Sequence, residues 1–112
     1  MKVTVVIPCY NAADKVGRCI SSLRKIELSD DEYEVIFVDD RSTDNTFDIV
    51  STACRAQKNW RAIALSENSG SPSKPRNIGV KEAAGEYIFF LDCDDEILPD
   101  TLSAYIRHAE RT

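Results

Sequence analysis

Hydrophobic and polar positions along this chain switch repeatedly between a strand-like run and a helical period. Lys2 to Ile7 is a continuous β-branched stretch that predicts a first strand. Val16, Ile20 and Leu23 then recur on one face, predicting a helix that starts at an Asn11 cap and runs to about Lys25. Glu34 to Val38 reads as a second strand. Ser42 or Thr43 is placed to cap the next helix, with Phe47, Val50 and Cys54 inward and Asp44 and Asp48 near its positive end. Arg61 to Leu65 predicts a third strand, followed by a polar loop, Glu67 to Lys74, that contains Gly and Pro. A helix from Pro75 to Ala84 comes next, stopped by Gly85. Glu86 to Leu91 is the fourth strand, and its unbroken Tyr87-Ile88-Phe89-Phe90-Leu91 run predicts burial on both faces. Pro99 opens a last helix carrying Leu102, Tyr105 and Ile106.

Four strand–helix units with doubly buried strands predict an α/β fold, built on a mostly parallel sheet with right-handed crossovers. Open sheets of this kind bind ligands beyond the carboxyl ends of their strands, where the strand order reverses. The polar residues obey that rule. Asn11, then Asp39 to Ser42, then Asn68, Ser69 and Gly70, then Asp92 to Asp95 each follow a strand, so all are expected on one edge.

The last of these clusters carries the sharpest chemistry. Asp92, Asp94, Asp95 and Glu96 crowd together at the end of an apolar strand, where mutual repulsion needs a cation, hydrogen bonds or solvent to relieve it. Mg²⁺ and Mn²⁺ take oxygen ligands, often one or two carboxylates together with substrate phosphates. A solvated loop that caps the next helix explains the same residues without a metal. Asp39-Asp40 likewise serves as a turn and cap, yet two carboxylates exceed what one cap needs. One of them suits recognition of an imide N–H, such as N3 of uracil. Arg76 is either an exposed helix residue in a weak ion pair or a cation aimed at diphosphate oxygens. Gly70 either relieves a tight turn or lets the backbone approach a ligand.

Composition narrows the class. The chain has 112 residues, enough for one small domain, with 43% hydrophobic and 29% charged residues. A net charge of −5 and scattered Lys and Arg argue against a nucleic-acid partner. No stretch is long enough to cross a bilayer, and the first apolar run is too short for a signal peptide. Cys9, Cys19, Cys54 and Cys93 have neither the spacing nor the histidines of a zinc site, so free thiols in the cytoplasm are expected. The acidic neighbours of Cys93 are expected to raise its pKa and keep it from acting as a nucleophile.

Five segments, taken in order, resemble glycosyltransferase family two. They are Val5 to Asn11, Val38 to Thr46, Glu67 to Gly70, Arg76 to Gly79, and Gly85 to Asp95 with its Asp92-Cys93-Asp94. The resemblance covers essentially the whole chain. It implies a GT-A fold, which is Rossmann-like, with residues 1–112 forming the part that binds a nucleotide-diphosphate sugar. It further implies that Pro8 and Tyr10, with Asn11, Asn68 and Gly70 beside them, line the nucleotide pocket. Asp40 would contact the base with Asp39 in support, and Arg76 would lie near the diphosphate. Asp92-Cys93-Asp94 matches the family's D-x-D, with Asp94 the direct ligand of Mn²⁺ or Mg²⁺ and Asp92 closer to the ribose. A UDP-sugar is the implied donor and a saccharide or lipid-linked hydroxyl the implied acceptor. That places a full enzyme in the cytoplasm, peripheral to the inner face of the membrane.

Family members continue past this point with further strands and a carboxylate that deprotonates the acceptor. This chain stops one helix after the D-x-D. A portion of a longer inverting enzyme is therefore expected, lacking its general base, for which Asp95 is the one weak candidate within the chain. The alternative is a non-catalytic nucleotide-binding or interaction module. If the chain is a portion of a longer enzyme, self-association through an exposed fourth strand or its adjoining helix is expected. A phosphohydrolase of the haloacid-dehalogenase kind, or a receiver domain, would need a carboxylate after the first strand, where Pro8-Cys9-Tyr10-Asn11 stands.

Overall fold

The computed structural model describes residues 1–111. Its elements alternate in the expected order: β1 (Val3–Cys9), α1 (Val16–Leu23), β2 (Tyr33–Asp39), α2 (Thr46–Arg55), β3 (Trp60–Ala64), α3 (Ser73–Glu82), β4 (Tyr87–Phe90) and α4 (Thr101–Glu110). The four strands form one sheet in the order β3-β2-β1-β4, and every pairing is parallel. The chain therefore builds outward from β1 to β3 and then crosses back to place β4 on the other side of β1. The order reverses between β1 and β4, and the crevice of such a sheet opens there.

Strand alternation sorts the core into two layers. Val3, Val5, Ile7 and Cys9 of β1, with Val35 and Phe37 of β2, pack against Val16, Cys19, Ile20 and Leu23 of α1, Val50 of α2, and Leu102 and Ile106 of α4. Ile36, Val38 and Leu65 face the other way, with Ile78 of α3 beside them. Three helices thus cover one face and α3 covers the second. Close approach of α3 depends on Gly79, where an added Cβ would lie 2.3 Å from a Val6 methyl.

The fourth strand departs from its expected burial. Residues 3–7 of β1 and all of β2 are buried, but no residue from Tyr87 to Phe90 is, and Phe90 is 47% exposed. β4 has a strand neighbour on one side only, among the described residues, and Tyr105 of α4 covers the face that carries Tyr87 and Phe89. The edge predicted from the sequence is present; full enclosure of the strand is not.

Helix boundaries also differ from expectation: α3 begins at Ser73, ahead of Pro75, and α4 at Thr101, after Pro99. Asn11 does not cap α1, whose N-cap is Lys15, and neither Ser42 nor Thr43 caps α2, whose N-cap is Asn45. Those side chains are taken by contacts between loops, described below. α3 ends at Glu82 with Ala83 already extended, so Gly85 does not stop it. Gly85 is instead pressed against β1, where a Cβ would sit 2.6 Å from the Thr4 backbone nitrogen.

Candidate functional site

Four loops meet at the carboxyl edge of the sheet, and hydrogen bonds lock the first two together. Asn11 has φ +47°, a left-handed conformation that Asn tolerates better than most residues. In that pose its Oδ1 accepts the Thr43 N–H at 2.8 Å, while its own N–H donates to Ser42 Oγ at 2.9 Å. Ser42 Oγ donates onward to Asp39 Oδ1 at 2.6 Å, and the Ser42 N–H donates to Asp39 Oδ2 at 3.0 Å. Thr46 Oγ1 accepts from Ala12 N–H at 2.9 Å and donates to Asp44. Asp39 is thus consumed by its own turn, a supporting role. Arg41, the other non-glycine residue with positive φ among the described residues, lies in the same turn at +57°.

These loops and the two beyond them surround a cavity of about 440 Å³. Pro8, Tyr10 and Asn11 enter it from the end of β1, Asp40 from β2, Asn68 and Gly70 from the loop after β3, Arg76 from α3, and Asp92 and Asp94 from the end of β4. Nine of the residues expected at the site are therefore gathered at one opening, at the switch point between β1 and β4. Asp39 and Asp95 are not among its walls. Cys9, Ala12, Lys15, Ser71, Pro72, Pro75 and Cys93 also line it and are not among the residues that the sequence singles out for binding. Ser71 and Pro72 belong to the loop already singled out. Lys15 gave one usable signal, its position in the polar lead-in between β1 and the first apolar helical residue.

The acidic end is open and preorganised. One carboxylate oxygen from each of Asp92, Asp94 and Asp95 falls within a set spanning at most 4.8 Å, and all three residues are exposed. The turn is closed by the Asp95 N–H, which donates to the Asp92 carbonyl at 3.0 Å. Oxygen atoms in this number and spacing fit a hard divalent cation, which takes the remaining positions from water or phosphate. Arg76 stands beside them. Its guanidinium is 3.7 Å from Asp92 Oδ1 and 5.8 Å from the centre of the Phe90 ring, and its buried Nε has no partner among the described residues.

The thiols of Cys9 and Cys93 hydrogen-bond with each other, one at the end of β1 and the other just past β4. Hydrogen bonding with Cys9 is the largest influence on Cys93 and draws its thiol down to about 7. Burial opposes that shift, the Tyr10 backbone reinforces it, and Asp94 opposes it. The same hydrogen bond, with burial, pushes Cys9 up. The expected effect of the acidic neighbour is thus real but outweighed, and the net direction is the reverse of that predicted.

A parallel α/β sheet whose strand order reverses beside these loops has its ligand crevice at that switch point, and comparison with known proteins says which class of fold this is. Residues 4–112 match the model of glycosyl transferase family 2, and the chain belongs to that family. A poly(ribitol-phosphate) beta-glucosyltransferase of Bacillus spizizenii is 42% identical over 102 residues, covering 91% of this chain and 16% of the relative. The crystal structure of residues 1–349 of Staphylococcus aureus TarS with UDP-GlcNAc superposes with a TM-score of 0.91 at 39% identity, covering 99% of this chain and 32% of that one. A mannosyltransferase from Pyrobaculum calidifontis, solved with GDP-Man and Mn²⁺, gives a TM-score of 0.82 at 27% identity, over 91% of this chain and 30% of that one. The fold is that of GT-A glycosyltransferases, and the chain spans well under half the length of each of these relatives.

Proposed function

We propose that this chain is the donor-binding part of an inverting glycosyltransferase and that its cavity takes a UDP-sugar together with Mn²⁺ or Mg²⁺. The observation that carries this reading is the meeting of Asp40, Arg76, Asp92 and Asp94 at one opening, in a fold shared with a UDP-GlcNAc-bound relative. Asp40 accepts the imide N–H of the uracil ring, within a pocket formed by Pro8, Tyr10, Asn11, Asn68 and Gly70. Asp94 is the direct metal ligand, and Asp92 reaches toward the ribose while holding Arg76 near the diphosphate. A bound divalent ion would neutralise charge growing on the leaving nucleotide. The protein's own contribution is to position the donor and keep the diphosphate between the Arg76 cation and the acidic turn.

The relatives' names bring in poly(ribitol-phosphate), a polyol-phosphate polymer rather than a saccharide, as the acceptor class of the whole enzyme. Asp95 joins the acidic turn and is not among the residues that line the cavity, and we place the acceptor base in another part of the enzyme. We place the whole enzyme in the cytoplasm, a reducing setting that four free cysteines suit.

Calorimetry of UDP binding with Mn²⁺ present, and again with a chelator, tests the reading. Binding that needs the metal and falls by about tenfold to a hundredfold in Asp40→Ala is expected. Equal affinity with and without metal would overturn the metal assignment. Transfer of sugar by the chain alone would overturn the placement of the base outside it.

A further inference from the structure

Asp40 is only 5% exposed, yet it forms part of the cavity wall. A carboxylate so placed is useful to a ligand only if its orientation is fixed and its remaining lone pairs face the opening. One residue supplies both constraints. The Ser69 N–H donates to Asp40 Oδ1 at 2.9 Å, and Ser69 Oγ donates to Oδ2 at 2.8 Å. Gripping both oxygens fixes the plane of the carboxylate. The adjacent Asn68 anchors the backbone of the same aspartate, its Nδ2 donating to the Asp40 carbonyl at 2.8 Å. An ionised carboxylate offers about four acceptor positions, so Ser69 leaves capacity on each oxygen for a ligand.

Ser69 itself does not line the cavity, although Asn68 and Gly70 on either side of it do. Its hydroxyl also lies 2.8 Å from the Ser71 carbonyl, so one proton faces two acceptors. The charged acceptor is the stronger of the two. Gly70, at φ +76°, makes the turn that brings Ser71 back to this hydroxyl. The loop after β3 is thereby shaped around Asp40 and touches a bound nucleotide through it.

We propose that Ser69 is a positioning residue for base specificity, holding the Asp40 carboxylate in the plane from which it accepts a uracil imide N–H. This rests on the uridine reading above. A hydrogen bond to a charged group is strongly directional, and a carboxylate held by one donor instead of two swings out of line with the base. The loss should fall on discrimination between bases and spare the diphosphate and metal contacts, which come from α3 and the end of β4.

The test compares UDP with CDP, whose ring carries no imide N–H at the corresponding position, by calorimetry on the 112-residue chain with Mn²⁺ present. The wild-type chain should prefer UDP by about tenfold or more. Ser69→Ala should lose most of that ratio while its affinity for CDP stays within about twofold, and Ser69→Thr, which keeps the hydroxyl, should retain the ratio. A wild-type chain that binds UDP and CDP equally overturns the uridine reading and this inference with it. A wild-type preference that survives in Ser69→Ala overturns the role of Ser69 alone. Equal losses for both nucleotides also overturn it, by showing that Ser69 only shapes the loop. If Ser69→Ala fails to fold, Ser69→Cys, nearly isosteric and a weaker donor, must show the same loss of ratio, and its retention there counts against the proposal.

Discussion

The two ends of the parallel sheet handle carboxylates in opposite ways. At the amino end, Glu34 is 8% exposed and its Oε2 accepts from Thr4 Oγ1 and the Ala84 N–H, each at 2.7 Å. The Gly85 N–H in turn donates to Thr4 Oγ1 at 2.9 Å. The protein itself satisfies this buried charge, and the group serves to tie the end of α3 and the start of β4 to the sheet. At the carboxyl end, Asp92 and Asp94 are exposed, crowd one another and take no side-chain hydrogen bond among the described residues, the 3.7 Å Arg76 contact of Asp92 apart. A carboxylate enclosed by protein donors and facing no cavity is a structural brace. One with a face on the cavity, whether held by loop donors as Asp40 is or left open beside like charges as Asp92 and Asp94 are, is available to a ligand.

The largest effect should come from breaking the amino end. Gly85→Ala would put a Cβ 2.6 Å from the Thr4 nitrogen and 2.7 Å from its Oγ1, contacts that backbone cannot easily relieve. A loss of about 3 kcal/mol is expected in denaturant unfolding. Nucleotide affinity of the fraction that remains folded should change little. Unchanged stability would show that the brace yields more easily than its geometry implies.

Substitution at the carboxyl end should do the reverse. Outer-shell partners of a metal ligand are worth about 10–100-fold in metal affinity, and a direct ligand is worth no less. Asp94→Ala should therefore weaken Mn²⁺-dependent UDP binding by about 30-fold, roughly 2 kcal/mol, with the unfolding midpoint unmoved or slightly raised as repulsion is relieved. Asp92→Ala should cost less, because it also releases Arg76 from its ion pair toward the diphosphate. Equal losses in the two variants would remove the assignment of Asp94 as the direct ligand.

The sequence revealed the sheet edge at which the site lies more readily than it revealed how each side chain is used there. Strand ends are legible because apolar runs stop at them, so Pro8, Asp40, Asn68 and Asp92 could be placed at one edge before any geometry was known. Caps were misread for a physical reason. Asn11, Ser42 and Thr43 have the right chemistry for a helix N-terminus, and local spacing alone does not show that a second loop competes for the same atoms. β4 was misjudged because an apolar run records only what the strand could bury, whereas actual burial depends on the neighbours the topology supplies. The thiol pair was hidden altogether. Cys9 and Cys93 are 84 positions apart and meet only through the β1–β4 pairing, in which Val6 lies opposite Phe90.

Asp44 marks the boundary between the two kinds of carboxylate and should give the smallest effect. It is at the site end of the sheet, yet it acts as a brace. Its pKa is lowered, first by the hydrogen bond from the Thr46 hydroxyl, with burial opposing, and then by the backbone N–H groups of Thr46 and Ala13. A folded-state pKa below the unfolded value adds stability that is complete above the unfolded value and disappears as pH falls through the folded one. Asp44 should therefore contribute at neutral pH and progressively less as pH drops below the 3.8 of a free aspartate. Asp44→Asn keeps one acceptor and removes the titration. Its unfolding midpoint should lie slightly below that of the wild-type chain at neutral pH, and the gap should narrow as pH falls below the free-aspartate value of 3.8. Parallel pH profiles for the two proteins would mean that the charge on Asp44 does no bracing. The loop junction over the cavity would then depend on the hydrogen bonds among Asn11, Ser42, Thr43 and Asp39 and on the one from Ala12 to Thr46.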